Sequence, residues 1–338
     1  MRRIFSAAAV GAAALLAGCT SSSPGSAGSA GDQVTLRLGF LANITHAPAL
    51  VGVDKGIFAK ALGKNVTLKV QVFNTGTEEA TALLAGQLDA AYVGPNPAIN
   101  AWQTSGGKAI RIISGAATGG ASVVVKKGIT SPAQLKGKAM ATPSLGNTQD
   151  VALRSWLKQS GLTTTSTGGG DVSIRPTKPN SAAVLEFQSG QIAGASEPSP
   201  YDVEMVQAGG TRVLSEPGVT TLLVVAQSFL AAHASAVNGL LKAQIQANDY
   251  VAHNPAAAQA AANAELTKLL GKGIKSSVLP AAFKEITFTD NPDAASLTTD
   301  ARQAESVGLL KPVNLNGIFD LGPLNALLKA AGEPQVSG

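Results

Sequence analysis

Residues 66–93 read VTLKVQVFNTGTEEATALLAGQLDAAYV, and this stretch decides the fold class. Residues 66–73 alternate apolar and polar side chains, which predicts a β-strand. Residues 78–88 have a helical pattern, and residues 90–93 form a short apolar run that is typical of a buried strand. A strand, a helix and a second strand in this order predict a parallel β-α-β unit.

The alternation of strands and helices continues on both sides of this unit. Further strands are predicted at 34–40, 110–113, 122–125, 138–142, 172–175, 192–195 and 222–225. The chain after residue 226 is predicted to be a helical tail. We therefore predict an α/β protein with two lobes, residues 33–121 with 226–338 and residues 122–225, joined by two extended hinge strands. Ligands of open α/β sheets bind beyond the carboxyl ends of the strands, so the loops that follow strands are the places to search.

The N-terminus predicts export. Arg2 and Arg3 precede an apolar run over residues 7–17, which is shorter than the roughly 20 residues that span a bilayer but is typical of a signal peptide. Cys19, the only cysteine, follows Leu-Ala-Gly, and this segment resembles the lipobox of bacterial lipoproteins. We expect residues 1–18 to be a signal peptide, Cys19 to carry a lipid anchor, and residues 19–32 to be a flexible tether. The predicted location is the outer face of the cell membrane.

Charge and composition disfavour nucleic-acid binding. The formal net charge is +5, and it falls to about +3 when Arg2 and Arg3 leave with the signal peptide. The basic residues form no dense block, and aromatic residues make up only 4% of the chain. Nucleic-acid-binding proteins usually concentrate both. The mild positive charge is compatible with a small anionic ligand.

The loops after the predicted strands share hydroxyl, amide and glycine residues and contain few charges. They are residues 41–46 (LANITH), 74–77 (NTGT), 94–97 (GPNP), 118–122 (TGGAS), 146–149 (GNTQ) and 197–201 (EPSPY). Glycine-rich turns and helix N-termini present backbone N–H groups that bind small oxyanions. Each loop taken alone is better explained as a turn or a helix cap.

Neither a metal site nor a catalytic site is predicted. His46, His233 and His253 are far apart in the sequence, and no Asp/Glu cluster accompanies them. The G-x-S-x-G and G-x-x-x-x-G-K-[ST] motifs do not occur. Asp89 and Glu197 are candidate acids without a nucleophile–base pair. We expect no enzyme activity and no cofactor.

Several segments together resemble the nitrate/sulfonate/taurine-type solute-binding proteins. They are residues 48–51 (PALV), 55–58 (KGIF), 85–95 (AGQLDAAYVGP), 119–125 (GGASVVV), 131–137 (SPAQLKG) and 146–153 (GNTQDVAL), with further likeness at 264–266 and 286–289. The resemblance implies a type II periplasmic-binding-protein fold. It also implies a monomer that delivers an aliphatic sulfonate, taurine or nitrate to the permease and ATPase of an ABC importer. One departure is residues 197–201 (EPSPY), where many members have an acid-Pro-Trp sequence, and this change affects which organic tail fits.

The predicted site residues come from these loops. The anionic group is assigned to Asn147, Thr148, Thr75, Gly76, Gly120 and Ala121, and the rest of the ligand to Asn43, His46, Asn96, Glu197 and Tyr201. Asp150 would oppose an anion unless it points away or caps the helix.

An alternative hypothesis is a binding protein or exported enzyme of the same fold that acts on a thiamine-pyrimidine-type heteroaromatic. It would need stacking side chains and an acid, for which Tyr92, Trp102, Tyr201 and Glu197 are the candidates. The scarcity of aromatic residues argues against it.

Overall fold

The computed structural model describes residues 33–338, so the predicted signal peptide and the whole predicted tether, including Cys19, lie outside the described residues. Its strands are β1 (Val34–Leu41), β2 (Val66–Phe73), β3 (Ala90–Val93), β4 (Ile110–Gly119), β5 (Ala121–Lys126), β6 (Ala139–Thr142), β7 (Ser173–Pro176), β8 (Gly194–Pro198), β9 (Gly210–Ser215), β10 (Val219–Ala226) and β11 (Ile286–Phe288).

The helices connect and cover these strands. They are α1 (Ala47–Asp54), α2 (Ile57–Leu62), α3 (Gly76–Leu84), α4 (Pro95–Thr104), α5 (Thr148–Gln159), α6 (Ser181–Ser189), α7 (Tyr201–Gln207), α8 (Gln227–Ala232), α9 (Ala234–His253), α10 (Pro255–Leu270), α11 (Leu279–Lys284), α12 (Ala294–Ser306) and α13 (Gly322–Ala331). Short 3₁₀ turns cover Ile44–His46 and Pro132–Leu135. Within residues 33–338, no helix is both long enough and apolar enough to cross a membrane.

The strands form two sheets, which have the orders β11-β4-β10-β3-β1-β2 and β7-β6-β8-β5-β9. In the first sheet, β1 runs parallel to both β2 and β3, so the segment β2-α3-β3 is the predicted β-α-β unit with β1 between its strands. In the second sheet, β6 runs parallel to β7 and β8, and β5 runs antiparallel to β8 and β9. The α/β class is confirmed.

The chain passes twice between the sheets. It leaves the first sheet at Gly120, between β4 and β5, and returns over residues 216–218, between β9 and β10. A Cβ atom on Gly120 would lie 2.3 Å from Cγ1 of Ile286, and its φ is +74°, so only glycine fits there without strain. Residues 33–338 form one compact unit, and the predicted lobe limits at 122 and 225 remain a prediction. The structure places β10 in the first sheet.

The predicted helical tail completes the core of the first sheet. Leu36 and Leu38 of β1 pack in one buried cluster with Leu240 of α9, Leu266 of α10 and Leu324 of α13. The tail also contains β11, which pairs with β4. Neither β11 nor β9 was predicted. β11 has only three residues, and both strands lie at sheet edges, where the apolar pattern is weak.

Candidate functional site

Residues from both sheets enclose a cavity of about 30 Å³, which we call the anion cavity. It lies beyond the carboxyl ends of β1, β2, β3 and β6, and the N-termini of helices α3 to α6 are at or next to its wall. Its lining is Leu41, Asn43, Thr45, His46, Asn74, Thr75, Gly76, Gly94, Pro97, Pro143, Asn147, Thr148, Gln149, Asn180, Pro198 and Thr220.

The start of α3 provides one wall of the anion cavity. Thr75 caps this helix by accepting a hydrogen bond from the Glu78 N–H at 3.3 Å. Gly76 is the first helical residue, and a Cβ atom there would lie 2.9 Å from Cγ of Pro97. The first N–H groups of a helix have no acceptor within the helix. Glycine at position 76 therefore allows the first turn of α3 to pack closely against Pro97 of α4, while the N–H groups of that turn stay without helical acceptors.

The start of α5 provides the facing wall. The Asn147 side chain accepts a hydrogen bond from the Asp150 N–H at 2.9 Å and donates one to Oε1 of Gln149 at 3.0 Å. The amide of Asn147 therefore acts as the helix cap, as its sequence pattern allows. Within residues 33–338, the N–H groups of Thr148 and Gln149 have no acceptor. The donors that α5 offers to an anion are thus backbone groups of its first turn.

Asp150 does not face the anion cavity. Its side chain is completely buried and lies 2.8 Å from Nε of Arg154, while its other oxygen accepts the Gly146 N–H at 2.7 Å. The carboxylate therefore orders the 146–149 turn from behind and leaves the cavity uncharged.

Thr148 brings the two sheets close together. Its hydroxyl is buried and has no hydrogen-bond partner among the described residues. A Cβ atom on Gly94, at the start of α4, would lie only 2.7 Å from this hydroxyl oxygen. A second contact lies nearby: Thr77 of α3 donates to Oγ of Ser144, in the loop between β6 and α5, at 3.1 Å.

His46 offers a neutral donor. Its Nδ1 accepts the Leu41 N–H at 3.2 Å, so the ring proton is on Nε2. Burial lowers the pKa of His46 to about 3. Next to it, Oδ1 of Asn43 accepts hydrogen bonds from the Thr45 N–H and hydroxyl at 3.1 and 2.7 Å, which leaves the Asn43 amide NH₂ free to donate.

The structure brings six predicted residues together at the anion cavity: Asn43, His46, Thr75, Gly76, Asn147 and Thr148. The other five are near it but do not line it. Asn96 donates to the Asp300 carbonyl at 3.3 Å, and Gly120 and Ala121 lie at the passage between the sheets. Tyr201 donates to the Ala42 carbonyl at 3.4 Å.

Glu197 is the fifth predicted residue outside the lining. Its side chain is completely buried, and burial, followed by the charge of Asp202, raises the pKa of Glu197 well above its usual range. Pro198, the next residue of β8, is the one that lines the cavity.

The predicted site set lacks several lining residues, and those with polar side chains are Thr45, Asn74, Gln149, Asn180 and Thr220. Asn180 precedes α6 but makes no side-chain cap, so its amide is not consumed by the helix. An Asn immediately before a predicted helix was the available signal. Thr220 lies inside β10, and the sequence of a buried strand does not reveal which end of the strand borders a cavity.

No Asp, Glu, Lys or Arg side chain is among the described residues that line the anion cavity. The helix N-termini therefore dominate its electrostatics, and they favour negative charge. Among its described lining residues, the imidazole of His46 is the only aromatic ring. Tyr92 is buried and donates to Gln244 at 2.6 Å, and Trp102 donates to the Asn314 carbonyl at 2.8 Å. In residues 33–338 no group of three His, Cys, Asp or Glu could hold a metal ion.

Comparison with known proteins identifies the family. The sequence profile of the NMT1-like family matches residues 29–266. The chain belongs to the NMT1-like family. This membership confirms the resemblance to nitrate/sulfonate/taurine-type binding proteins. A Brucella abortus protein that is named only as a binding protein is 30% identical to this NMT1-like chain over 166 residues. That match covers 48% of each protein, so the chain spans about half the length of the curated relatives it matches.

Two solved structures show the same fold. The alkanesulfonate-binding protein SsuA from Xanthomonas axonopodis pv. citri, bound to MOPS, superposes with a TM-score of 0.71 at 16% identity. The match covers 87% of the NMT1-like chain and 100% of SsuA. The periplasmic nitrate-binding protein NrtA from Synechocystis PCC 6803 has a TM-score of 0.71 at 16% identity, covering 89% and 90% of the two chains. The predicted periplasmic-binding-protein fold is confirmed.

Proposed function

We propose that this chain is an extracytoplasmic solute-binding protein that captures a small oxyanion and delivers it to an ABC importer. The anion is nitrate or the head group of an aliphatic sulfonate such as taurine. The observation that carries the proposal is the set of helix N-termini from both sheets around a cavity without charged side chains. Family membership supports it.

Neutral donors suffice for such a ligand. Nitrate and sulfonates are strong-acid anions and stay ionised near neutral pH. A hydrogen bond to a charged group contributes about 1.5–3 kcal/mol, so a few backbone N–H groups from α3 and α5 with the Nε2–H of His46 provide substantial affinity. Both sheets supply donors, and ligand binding therefore favours the arrangement in which the sheets are close.

The volume of the anion cavity limits the ligand. At about 30 Å³ it is close to the share of liquid volume that one water molecule takes. A head group of a few atoms therefore needs only a small outward movement of the walls. A long organic tail needs a larger separation of α4 and α5.

A thermal-shift panel tests the proposed function. Nitrate, methanesulfonate, taurine and octanesulfonate are each compared with chloride at equal ionic strength. An anion present at 100 times its Kd stabilises the folded state by about 2.7 kcal/mol. We expect a shift with at least one oxyanion. A panel in which none exceeds chloride would overturn the proposal.

A further inference from the structure

A second and larger cavity, about 580 Å³, shares Thr148 with the anion cavity. We call it the acidic cavity. Its walls come from α5, from α12 and from residues 214–219, where the chain returns to the first sheet. Its volume is within the range of about 300–1,000 Å³ that small-molecule sites occupy.

The charges on its wall are all negative. Glu216, Asp293 and Asp300 line the acidic cavity, and no Lys or Arg is among its described lining residues. Burial, followed by the charges of Glu216 and Asp293, raises the pKa of Asp300 well above its usual range. Burial also raises the pKa of Glu216 to about 7. Glu216 and Asp293 therefore lie close enough to Asp300 to disfavour its ionisation.

The three acids differ in their hydrogen bonds. Glu216 accepts the Ser196 hydroxyl at 2.9 Å, and Asp293 caps α12 by accepting the Ser296 N–H at 3.0 Å. Oδ2 of Asp300, in contrast, is buried and has no partner within residues 33–338.

Thr148, which is only 6% exposed, also lines the acidic cavity, and its buried hydroxyl has no partner among the described residues. Buried polar atoms are nearly always hydrogen-bonded. Unpartnered ones at a cavity of this size therefore point to a ligand.

The wall also contains an indole. Trp156 of α5 is half-buried and lines the acidic cavity. An indole face attracts an organic cation, as do carboxylates. A bare metal ion fits less well, because no three described His, Cys, Asp or Glu side chains are placed to bind one. We propose that the acidic cavity binds an alkylammonium group.

Two sources supply an alkylammonium group. One is a separate organic cation. The other is the amino end of an aminosulfonate whose sulfonate lies in the anion cavity, since Thr148 lines both cavities. The second source rests on the proposed function, and the first does not.

Isothermal titration calorimetry of the full chain with choline, 3-aminopropanesulfonate and propanesulfonate tests the proposal. Asp300→Asn is the test variant, because it keeps the shape of the side chain and removes the carboxyl group that a bound ammonium group would hold in its ionised form. Asp249→Asn, at an acid whose side chain is 69% exposed on α9, is the matched control. The thermal unfolding midpoint shows that each variant is folded.

We expect at least one ammonium-bearing probe to bind the wild type, with affinity that falls roughly tenfold or more in Asp300→Asn, since the bound cation then has no carboxylate at this position. Asp249→Asn keeps wild-type affinity. Choline binding identifies a separate cation, and binding of 3-aminopropanesulfonate without choline identifies the linked source. The proposal is overturned if neither ammonium probe binds, or if Asp300→Asn binds both as the wild type does. Choline binding without propanesulfonate binding would contradict the sulfonate function alone.

Discussion

Oδ1 of Asp150 lies 2.8 Å from Nε of Arg154, and both side chains are completely buried. The second carboxylate oxygen accepts the N–H of Gly146 at 2.7 Å. The ion pair therefore fixes the turn at the start of α5 and directs the negative charge away from the anion cavity. Asp150, which the sequence marked as an obstacle to an anion, supports the binding wall from behind.

Arg154→Met should destabilise the protein. It leaves the Asp150 carboxylate buried without its partner, and breaking a buried pair in this way costs about 3–5 kcal/mol. Chemical denaturation measures the loss in free energy of unfolding. The control is Asp249→Asn, which breaks the exposed pair with His253 and should change little. Equal costs for the two variants would contradict the structural role of the buried pair.

Asn147→Ala should weaken all anions to a similar extent. The variant loses the cap on the Asp150 N–H and the hydrogen bond to Gln149, and loss of a helix cap costs about 0.5–2 kcal/mol. The disordered turn then presents its N–H groups less well. Calorimetry with nitrate and methanesulfonate measures both affinities. A loss confined to one anion would show that Asn147 determines specificity instead.

Gly94→Ala should oppose the close approach of α4 and α5. The new Cβ atom would lie 2.7 Å from the hydroxyl of Thr148, and overpacking of this kind costs about 1–3 kcal/mol. Anion affinity should fall. The loss caused by Gly94→Ala should be smaller in the Thr148→Ala background, where the hydroxyl that meets the new Cβ atom is absent. If Gly94→Ala binds anions as the wild type does, the two walls need not meet around the ligand.

His46 should make the folding stability depend on pH. Near neutral pH it should not add a pH dependence to anion binding. Its folded pKa of about 3 is below the ordinary value of 6.5, so the unfolded chain binds more protons between these two values. The folding stability that depends on a neutral His46 is fully present above pH 6.5. It is lost as the pH falls from 6.5 towards the folded pKa of about 3.

His46→Asn provides the comparison, because it removes the titrating ring and keeps an acceptor for the Leu41 N–H. Between pH 6.5 and pH 4 the wild-type melting temperature should fall relative to that of the variant. From pH 6.5 to pH 8 the anion affinities of the wild type and of His46→Asn should show the same pH dependence, since the imidazole is neutral throughout. A difference in melting temperature that does not change with pH would contradict the burial of a neutral imidazole.

Cys19→Ser should release the protein from the membrane. We propose the lipid anchor because Cys19 directly follows the apolar run and the small residues before it. Metabolic labelling with a fatty acid, followed by membrane fractionation, compares the variant with the wild type. Labelled, membrane-bound Cys19→Ser would contradict this proposal.

The sequence predicts the regular elements well where their pattern is locally complete. The limits of β2 and β3 agree with the alternating and apolar runs at 66–73 and 90–93. The edge strands β9 and β11 escape detection, because their pairing depends on distant partners, β5 and β4. The long helices α9 and α10 are recognised from their apolar stripes, but their packing on β1 is a tertiary property.

For the site, sequence pattern identifies helix starts better than side-chain directions. Thr75, Gly76 and Asn147 were found because capping chemistry leaves a local signal. Asn96 and Tyr201 belong to the right loops, yet their side chains bond to the Asp300 and Ala42 carbonyls instead. The acidic cavity has no sequence signature, since Glu216 and Asp300 are brought together only by the return of the chain to the first sheet.

Calorimetric titration of the full chain with methanesulfonate and nitrate tests the central claim most directly. We expect saturable binding with one anion per chain for at least one of them, and weaker binding in Asn147→Ala under the same conditions. Absence of saturable heat for both anions, or undiminished binding in Asn147→Ala, would contradict the assignment of the anion to the α5 N-terminus.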